Sequence, residues 1–514
     1  MSKTIIIIGA GLAGLSATLQ AAENGCNVKL VSSLPSERAQ SVMAEGGINA
    51  ALNTKDENDS PEEHFTDTIK AACGLADPNA VWGMTQAAPE LVHWLLKLGV
   101  KFNMSGHDDV DLRNFGGQKK KRTAFAQSDT GKQIMTAMID AVRRKEASGM
   151  VERFSHHSFL TLRLCGNICC GCVIRDEYSQ ETVELPGDAV IVATGGMHGL
   201  FGNTTGSLSN TGEVTAELFR LGVPLANGEM IQYHPTTVKC GGKRMLISEA
   251  ARGEGGRLFA TKDGKRWYFM EEKYPELGNL MPRDITAREI WKVSHESEVF
   301  LDMTEISEEI ISNKLSGLAD DCMTYLHKDI RKEPVSVLPG IHYFMGGILV
   351  DEQHRTPIQN LYAAGECCAQ YHGANRLGGN SLLGALYGGR VAAKSACEQA
   401  DVVDLSCATQ IDFPPASQIS EIKQLNKVMQ ETMGVVRNEN TLLNGIQTVQ
   451  ALTGNLPLLG MAVLKSALAR KESRGAHWRE DYPKSNDDDY LKTTVARFDG
   501  KQIQISFVPV PERR

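Results

Sequence analysis

The chain has 514 residues, of which 42% are hydrophobic and 23% are charged, and its formal net charge is −8. One hydrophobic core does not support this length, so we expect two or three domains. The composition is typical of a globular protein, and the negative charge argues against a general nucleic-acid or anionic-membrane binder. Because the N-terminus lacks a basic, apolar leader and no apolar run approaches about 18 residues, we expect a cytoplasmic protein without a membrane span.

The N-terminal segment carries the pattern of a nucleotide site. Residues 4–8 form a run of Thr and Ile that is typical of a buried strand. Gly9, Gly11 and Gly14 follow in the spacing Gly-x-Gly-x-x-Gly, and an Ala- and Leu-rich helix is expected over residues 15–23. Such glycines allow a tight turn, and the helix N-terminus directs its amides at a diphosphate. The order of strand, turn and helix predicts a dinucleotide site.

Further strands extend this domain. The next strand, residues 27–31, ends at Ser32, where an acidic ribose ligand is common, so the adenosine contact stays open. Residues 188–196 and 360–366 repeat the pattern of a buried strand that meets glycine. Long insertions separate these strands, which indicates one nucleotide-binding domain assembled from distant segments. The insertion from 228 to 341 is long enough to form a domain of its own.

The C-terminal part differs in composition, because Gln, Asn, Leu and Lys become frequent after about residue 405. Residues 419–471 show the periodicity of successive amphipathic helices. Residues 493–510 alternate around Asp499 and Gly500, which predicts a short β ribbon. We therefore expect a helical domain with a β tail.

The chain contains twelve cysteines, which we expect to be reduced thiols because no leader directs the protein out of the cell. Cys165, Cys169, Cys170 and Cys172 are close in sequence, but no second Cys-x-x-Cys pair follows at zinc spacing. The surrounding residues, 160–174, have a β-rich pattern. We predict that these cysteines pack in a sheet and bind no metal, with a metal site as the minority interpretation.

Two other segments contain concentrated positive charge or glycine. The basic residues 119–122 predict a solvated loop face, and docking of a partner is the minority interpretation. In residues 372–382, Arg376 lies beside a Gly-rich turn. Its planar guanidinium can bind a carboxylate through two hydrogen bonds, and the glycines permit close approach of a large ligand.

These motifs together resemble the flavoprotein subunits of the fumarate reductase and succinate dehydrogenase family, whose relatives include L-aspartate oxidase. The resemblance covers nearly the whole chain, through residues 9–14, 44–47, 232–236, 248–256, 282–284, 342–347, 365–366, 372–382 and 473–477. It implies FAD in a Rossmann-like α/β domain, an inserted α+β capping domain and a helical C-terminal domain. The implied bounds are 1–227 and 342–405 for the FAD-binding domain, 228–341 for the capping domain and 406–514 for the C-terminal domain.

The resemblance also implies the cofactor contacts. Glu366 matches the acid that binds the FAD ribose, and Ser381 and Leu382 would meet the isoalloxazine through backbone amides. Glu213 stands where relatives often have Asp, and its longer side chain puts that contact in doubt. The expected cofactor-binding residues are Gly9, Gly11, Ala13, Gly14, Ser32, Ala44, Gly46, Gly47, Thr194, Gly195, Glu213, Glu366, Asn380, Ser381 and Leu382.

A fumarate-like substrate must be held by both carboxylates while the alkene receives a hydride and a proton. By resemblance, Arg376 and His342 hold one carboxylate, and His234 and the hydroxyl of Ser248 hold the other. The implied substrate is a small dicarboxylate. The alternative for each histidine is an ordinary structural imidazole.

By the same resemblance, Arg283 is the proton donor. The pKa of arginine lies above about 12, so this donor must be reloaded at once. The implied path runs from Arg252 through Glu249 to Arg283. The alternative is an ion-pair cluster that supports only the capping domain.

Two departures from the family pattern bear on the reaction. In the membrane-bound respiratory members, a histidine is covalently linked to FAD. Gln40 stands there in this chain, so we expect non-covalent FAD and the fumarate-reducing direction. Phe115 replaces the acid that faces the substrate amine in aspartate oxidases, and a closed pocket without that acid would leave an ammonium unpaired.

We therefore expect a fumarate reductase. L-aspartate oxidase and a reductase of another unsaturated dicarboxylate remain alternatives, and an electron-transfer flavoprotein is disfavoured because it needs no proton donor. The sequence leaves the electron source open between an iron–sulfur partner subunit and a soluble donor such as a reduced flavin or a nicotinamide.

Overall fold

The computed structural model of the protein describes residues 2–106, 109–401, 411, 413 and 418–514. The boundary predicted at residue 405 lies outside them. The α-helices are α1 (Leu12–Glu23), α2 (Pro61–Ala71), α3 (Pro78–Leu98), α4 (Thr130–Ala147), α5 (Glu213–Arg220), α6 (Glu249–Gly253), α7 (Phe269–Lys273), α8 (Arg283–Val293), α9 (Glu308–Lys314), α10 (Ser316–Asp321), α11 (Asn380–Gln399), α12 (Ile419–Thr432), α13 (Glu439–Val449), α14 (Asn455–Ala469) and α15 (Asp487–Tyr490). Among the described helices, none has the length and apolar character required to cross a membrane.

The strands alternate with these helices along most of the chain. They are β1 (Thr4–Ile8), β2 (Asn27–Ser32), β3 (Ile48–Asn49), β4 (Met104–Ser105), β5 (Asp109–Val110), β6 (Leu112–Arg113), β7 (Thr123–Ala124), β8 (Val151–Ser155), β9 (His157–Cys165), β10 (Ile168–Asp176), β11 (Thr182–Pro186), β12 (Ala189–Val192), β13 (Leu225–Ala226), β14 (Ile231–Cys240), β15 (Lys243–Leu246), β16 (Arg257–Lys262), β17 (Lys265–Trp267), β18 (Val299–Asp302), β19 (Val335–Ser336), β20 (Leu338–Phe344), β21 (Gly347–Leu349), β22 (Leu361–Ala363), β23 (Cys368–Ala369), β24 (Lys492–Phe498) and β25 (Ile503–Pro509).

A parallel five-stranded sheet in the order β22-β12-β1-β2-β8 forms the centre of the nucleotide-binding domain. Side chains alternate across it. Ile5 and Ile7 join a core formed with α1, α3, α4 and α11, whereas Ile6 and Ile8 join a core formed with β9 and β10. A parallel sheet covered on both faces requires an uninterrupted apolar strand, which explains the Ile run in β1.

Helix α1 begins three residues before the predicted position. The expected start was residue 15, but the helix starts at Leu12, directly after Gly11. Gly14 therefore lies inside the first turn, where a Cβ atom would be 1.8 Å from the carbonyl oxygen of Gly9. The third glycine of the motif allows the helix to pack closely on the turn. The helix therefore includes Gly14 and does not begin after it.

The insertion forms a second unit with its own core. Buried residues between Ile247 and Val337, together with Phe115, share this core, and β17-β16-β18-β19 form a four-stranded sheet within it. Strands β14 and β20 pair with each other and connect this unit to the nucleotide-binding domain. The capping domain expected from the sequence is thus a separate core, while its bounds at 228 and 341 stay a prediction.

The C-terminal region confirms the expected helices and ribbon. Helices α12, α13 and α14 pack together over a core that includes Phe201 and Phe219. Strands β24 and β25 pair around residues 499 and 500, with Phe498 opposite Ile503. The ribbon also joins β13, which completes a sheet of five strands in the order β23-β21-β13-β24-β25. The β tail is therefore part of a sheet that begins far earlier in the chain.

The clustered cysteines belong to the antiparallel sheet β11-β10-β9, as predicted. Cys169 and Cys172 are buried in the core beside the central sheet, and burial raises the pKa of the Cys169 thiol to about 12. Ten cysteines of the described chain have free thiols, whereas Cys165 takes part in a disulfide. The expectation of uniformly reduced thiols is therefore wrong at Cys165.

The prediction that the basic residues 119–122 form a solvated loop face is wrong for one of them. Lys119 and Lys121 are exposed, but Arg122 is fully buried. Its Nη2 atom lies 2.9 Å from Asp59 Oδ1 and 3.0 Å from Asp67 Oδ2. The acidic partners are more than fifty residues away in sequence, so local charge could not reveal them.

Replacing Arg122 with Gln should lower the free energy of unfolding by about 3–5 kcal/mol, because two buried carboxylates would lose their cation. Thermal denaturation of Arg122→Gln measures this loss as a lower midpoint temperature. Lys121→Gln removes a neighbouring exposed charge and serves as the control, with an expected midpoint close to the wild type. Equal midpoints for both variants would contradict the proposed stabilising role of Arg122.

Candidate functional site

The residues of the expected proton path form a continuous chain of charged groups. Glu249 Oε2 accepts hydrogen bonds from Arg283 Nε at 2.7 Å and Arg283 Nη2 at 2.5 Å. Glu249 Oε1 accepts from the Gly116 amide at 3.0 Å and lies 3.5 Å from Arg252 Nη2. Helix α6 supplies Glu249 and Arg252, while Arg283 is the first residue of α8. The sequence pattern thus grouped three residues that are in direct contact.

All three charged side chains are buried. Burial alone would raise the pKa of Glu249, but Arg283 and Arg252 outweigh it and hold the pKa below its ordinary value. Burial lowers the pKa of Arg252, an effect that Glu249 opposes. An ionised carboxylate between two guanidiniums can accept a proton from one of them and donate it to the other.

Two histidines face each other on the paired strands β14 and β20. The ring centroids of His234 and His342 are 5.1 Å apart. His234 Nδ1 lies 3.1 Å from the carbonyl oxygen and 3.3 Å from the amide nitrogen of Thr236, whereas its Nε2 has no partner among the described residues. His342 Nδ1 lies 2.8 Å from the Thr205 hydroxyl. Burial first, and then Arg283, lower both histidine pKa values well below the ordinary range, so both rings are neutral at pH 7.

Arg376 is a buried cation without an acidic partner at hydrogen-bond distance in the described chain. Its guanidinium carbon lies 4.3 Å from the centroid of the Tyr343 ring, and its Nε has no hydrogen-bond partner there. Burial, and then Arg283, lower its pKa to about 9, which leaves it charged at pH 7. A buried N–H without a partner costs about 1–3 kcal/mol. The unpartnered Nε of Arg376 and Nε2 of His234 therefore fit an anionic ligand.

Gln232 connects the two arginines, although the sequence analysis assigned it no role. Its amide nitrogen donates to the carbonyl oxygen of Arg376 at 2.8 Å, and its amide oxygen accepts from Arg283 Nη1 at 3.1 Å. Gln232 precedes His234 by two residues in β14, and Arg283 lies near both, since it bonds to Gln232 and lowers the pKa of His234 after burial does. This spacing is the sequence signal that could have identified it.

Phe115 lies between two glycines that leave no room for side chains. A Cβ atom on Gly46 would be 2.8 Å from Phe115 Cζ, and one on Gly378 would be 3.0 Å from Cδ2. The Gly378 Cβ would also lie 2.9 Å from Glu249 Oε2. Phe115 thus places an apolar ring near the Glu249 carboxylate and between the loops that contain Gly46 and Arg376.

Ser248 has a structural contact as well as its expected ligand role. Its Oγ caps α6 by accepting from the Ala250 amide at 3.4 Å. Burial, followed by Asp321 and Asp129, raises the pKa of the nearby Glu45 to about 8, while a hydrogen bond with Ser248 opposes the rise. Glu45 is therefore a mostly protonated acid at pH 7.

The predicted nucleotide residues collect at the carboxyl edge of the central sheet. Gly9 follows β1, Ser32 ends β2, Thr194 and Gly195 follow β12, and Glu366 follows β22. In parallel α/β sheets this edge is where ligands bind. The first turn of α1 contains no acidic residue, and the buried Ser32 hydroxyl has no partner in the described chain.

Close contacts explain why glycine is required at two of the predicted cofactor positions. Gly47 has φ 133°, and a Cβ atom there would be 2.5 Å from the Ala124 carbonyl oxygen. At Gly195, which has φ 73°, a Cβ atom would be 2.6 Å from Asn210 Nδ2. Larger residues would displace the loops at the edge of the sheet.

Other predicted cofactor positions make contacts within the protein. Glu366 Oε1 accepts from the Phe344 amide at 3.1 Å. The carbonyl of Ala44 accepts from α4 at 2.7 Å, and Ala13 packs against α11, where a Cβ on Gly389 would be 2.3 Å from the Ala13 oxygen. Glu213 is exposed, and its Oε2 accepts from the Thr211 hydroxyl at 3.4 Å.

Comparison with known proteins identifies the family. Residues 4–382 match a model described as FAD binding domain, and residues 452–513 match one described as fumarate reductase flavoprotein C-term. The succinate dehydrogenase flavoprotein subunit of Bacillus subtilis is 38% identical over 100% of this chain and 98% of its own length. The 8-methylmenaquinol:fumarate reductase flavoprotein subunit of Wolinella succinogenes is 32% identical over 100% of this chain and 92% of its own length. The solved E. coli quinol fumarate reductase chain FrdA is 27% identical, with a TM-score of 0.90 over 99% of this chain and 97% of that chain.

The chain belongs to the succinate dehydrogenase and fumarate reductase flavoprotein family. It is an FAD-dependent oxidoreductase of this type. The match also establishes the predicted arrangement of an FAD-binding domain, a capping domain and a helical C-terminal domain.

In this flavoprotein, a polar network that the sequence analysis missed fixes the start of α11. Asn380 Oδ1 accepts from Asn49 Nδ2 at 2.8 Å and lies 2.9 Å from His64 Nε2, while its amide nitrogen donates to the Thr68 hydroxyl at 3.0 Å. Burial, followed by Arg122, lowers the pKa of His64 to about 3. The neutral ring therefore donates to Asn380. Residues this distant in sequence give no local signal of their contact.

The same network sets the direction of the first turn of α11. Gly379 precedes the helix with φ 85°, and a Cβ atom there would be 2.1 Å from Asn49 Oδ1. Ser381 is half-buried and Leu382 is buried. This first turn contains no acidic residue, so its amides can face an electron-rich ring or an anion.

Asn380→Ala should weaken FAD retention, because Asn49 and His64 would lose their acceptor at a cost of about 1–3 kcal/mol each. The flavin-to-protein absorbance ratio after gel filtration measures the loss. Asn444→Ala, on the exposed side of α13, is the control and should retain wild-type flavin. A full flavin complement in Asn380→Ala would show that the network does not position the cofactor.

Proposed function

We propose that this protein is an FAD-dependent fumarate reductase. One alkene carbon of fumarate receives a hydride and the other receives a proton from Arg283, which gives succinate. The buried chain of Arg252, Glu249 and Arg283 supports this proposal most directly, because electron transfer alone needs no proton path to carbon. When bound, FAD supplies the hydride through its N5 position.

The substrate is a small dicarboxylate in this proposal. Arg376 and His342 bind one carboxylate, and His234 and Ser248 bind the other. A carboxylate at His234 selects the tautomer in which Nδ1 accepts from the Thr236 amide and Nε2–H donates to the ligand. Two carboxylates would satisfy the donors of His234 and Arg376 that have no partner in the described chain, whereas a monocarboxylate would leave one of them unpaired.

Arg283 can act as an acid because its proton is replaced at once. A neutral guanidine would be unstable beside water, but Glu249 contacts both Nε and Nη2 of Arg283. Glu249 passes a proton to Arg283 and receives one from Arg252. Gln232 holds the third nitrogen, Nη1, and thereby fixes the plane of the guanidinium.

FAD binds non-covalently in this proposal. The cofactor residues expected from the sequence fit a dinucleotide, since the α1 N-terminus suits a diphosphate and the unpartnered Ser32 hydroxyl suits a ribose. Gln40 occupies the position of the covalently linked histidine. Its Oε1 accepts from the Ser207 amide at 2.6 Å, and an amide side chain is not a nucleophile for the flavin.

The electrons reach the flavin from a partner, which we propose to be an iron–sulfur subunit or a soluble donor. Two relatives are named as subunits, which supports the first choice. We also propose that the protein acts in the cytoplasm. The relative of Bacillus subtilis is named a succinate dehydrogenase, so the direction of the reaction needs a direct test.

Anaerobic oxidation of a reduced viologen dye with fumarate tests the proposed reaction. We expect rapid dye oxidation with fumarate, and no peroxide from L-aspartate under air, because the apolar ring of Phe115 provides no counter-charge for an ammonium. Peroxide from aspartate would favour an aspartate oxidase. Faster turnover with succinate and an oxidising dye than with fumarate would show that the reaction runs in the opposite direction. No activity with fumarate, L-aspartate or succinate would indicate that the substrate is another unsaturated acid.

Arg283→Ala should lower fumarate reduction by at least about 10²–10⁴-fold, the usual contribution of a positioned acid, while flavin content stays at the wild-type level. Arg283→Lys distinguishes the relay from simple charge support. If Arg283 only pairs with Glu249, the lysine variant should keep appreciable turnover. Arg288→Ala, one turn along α8 and bonded to Asp284 at 3.4 Å, is the control and should retain activity.

Denaturation should release all of the FAD from the wild-type protein. After acid precipitation, we expect the flavin in the supernatant and a colourless pellet. Gln40→Ala should give the same result, because neither side chain can form a bond to the flavin. Flavin that stays with the pelleted chain would refute non-covalent attachment.

A further inference from the structure

A cleft of about 370 Å³ lies between the capping domain and the FAD-binding domain. Its lining on the capping side includes Gly253, Glu254 and Lys314, and on the other side Lys55, Asp111, Leu112, Arg113, Asn114 and Lys121. At about 30 Å³ for each water, the cleft has room for a molecule of roughly ten non-hydrogen atoms.

The cleft is separate from the groups assigned to fumarate. Asn114 and Gly253 line the cleft, and in sequence they are the direct neighbours of Phe115 and Arg252. These two backbones touch so closely that a Cβ atom on Gly253 would be 2.8 Å from the Asn114 carbonyl oxygen. None of the proposed fumarate ligands lines the cleft.

The charge of the lining is positive. Four cationic side chains face two acidic ones. Lys55 pairs with Asp111 at 2.5 Å and Lys314 pairs with Glu254 at 3.1 Å. These two ion pairs account for both acids of the lining, and Lys121 pairs with Glu57 at 3.7 Å outside it. Glu254 and Asp111 act on Arg113 electrostatically, but among the described residues no carboxylate lies at salt-bridge distance from its guanidinium.

Arg113 is the least satisfied of these groups. It is 3% exposed, and its guanidinium carbon lies 3.6 Å from the centroid of the Phe125 ring. Nη2 donates to the Gln127 carbonyl oxygen at 2.6 Å, but Nε and Nη1 have no partner among the described residues. The neighbouring Asn114 Oδ1 is also buried without a partner there. A buried guanidinium with two unpartnered nitrogens is unfavourable unless an acceptor bonds to them, and an anion compensates its charge as well.

We propose that this cleft binds a small anion with at least two acid groups, a polycarboxylate or a phosphate, at a site distinct from the fumarate site. Arg113 binds one acid group through Nε and Nη1. Lys314 of the capping domain and Lys55 of the FAD-binding domain attract the remaining charge from opposite sides. The bound anion therefore connects the two domains. This inference does not depend on the direction of the flavin reaction.

Calorimetric titration of the FAD-loaded protein with citrate and, separately, with inorganic phosphate tests the site. Both titrations use the Arg376→Gln background, in which the fumarate site lacks its guanidinium. We expect one anion for each chain. Binding of citrate alone identifies a polycarboxylate site, binding of phosphate alone identifies a phosphate site, and binding of both supports a general oxyanion site. No binding of either anion overturns the proposal.

Charge variants locate the bound anion. Replacing Lys55 and Lys314 together with Gln should weaken binding about tenfold, because two partly exposed charges are lost. Arg113→Gln should weaken it further, and the lysine pair keeps the test valid if Arg113→Gln does not retain FAD. Lys328→Gln is the matched control, since Lys328 pairs with Glu333 in the capping domain and has a side-chain exposure of 35%, against 32% for Lys314. Equal affinity in the double variant and the wild type would overturn the assignment, as would equal weakening in the control.

Discussion

The buried carboxylate of Glu249 is the interaction on which the site depends. It contacts Arg283 and Arg252 and accepts a hydrogen bond from the Gly116 amide. Two guanidiniums in the interior would be strongly unfavourable without this anion. Because Glu249 and both arginines lie in the capping domain and Gly116 lies outside it, the same carboxylate also attaches that domain to the loop that contains Phe115. Charge compensation and domain contact are therefore one interaction.

Positive charge is only partly compensated elsewhere around the site. Arg376 rests on the Tyr343 ring without an acidic partner at hydrogen-bond distance in the described chain, and its pKa is lowered to about 9. His234 and His342 are neutral because burial, and then the charge of Arg283, lower their pKa values well below the ordinary range. A dianionic substrate would balance this excess. The electrostatics thus favour a dicarboxylate ligand.

Close backbone contacts fix the loops that position these charged side chains. Gly46 and Gly378 approach Phe115 from two loops, and Gly379 approaches Asn49 at the start of α11. Each contact excludes a side chain, so the loops can meet only at glycine. The amide of Gln232 then joins Arg283 to the Arg376 backbone. Glycine contacts and a few amides therefore hold the reactive groups in one geometry.

The sequence by itself determined the elements whose signals are local. The Ile run of β1, the Gly-x-Gly-x-x-Gly turn, the helices after residue 419 and the ribbon at residue 499 all follow from periodicity or spacing within a few residues. The ordered motifs also determined the family and grouped Glu249 with Arg252.

Only the tertiary structure decided contacts between distant segments. It buried Arg122 against Asp59 and Asp67, joined Asn380 to His64, and placed Gln232 between two arginines. It also started α1 at Leu12 instead of residue 15, because Gly14 had to pack on Gly9. The physical reason is shared by the polar contacts: burial removes water as a hydrogen-bond partner, so a buried polar group must pair with another group of the protein. The fold decides which group lies close enough, and separation along the sequence does not indicate which one it is.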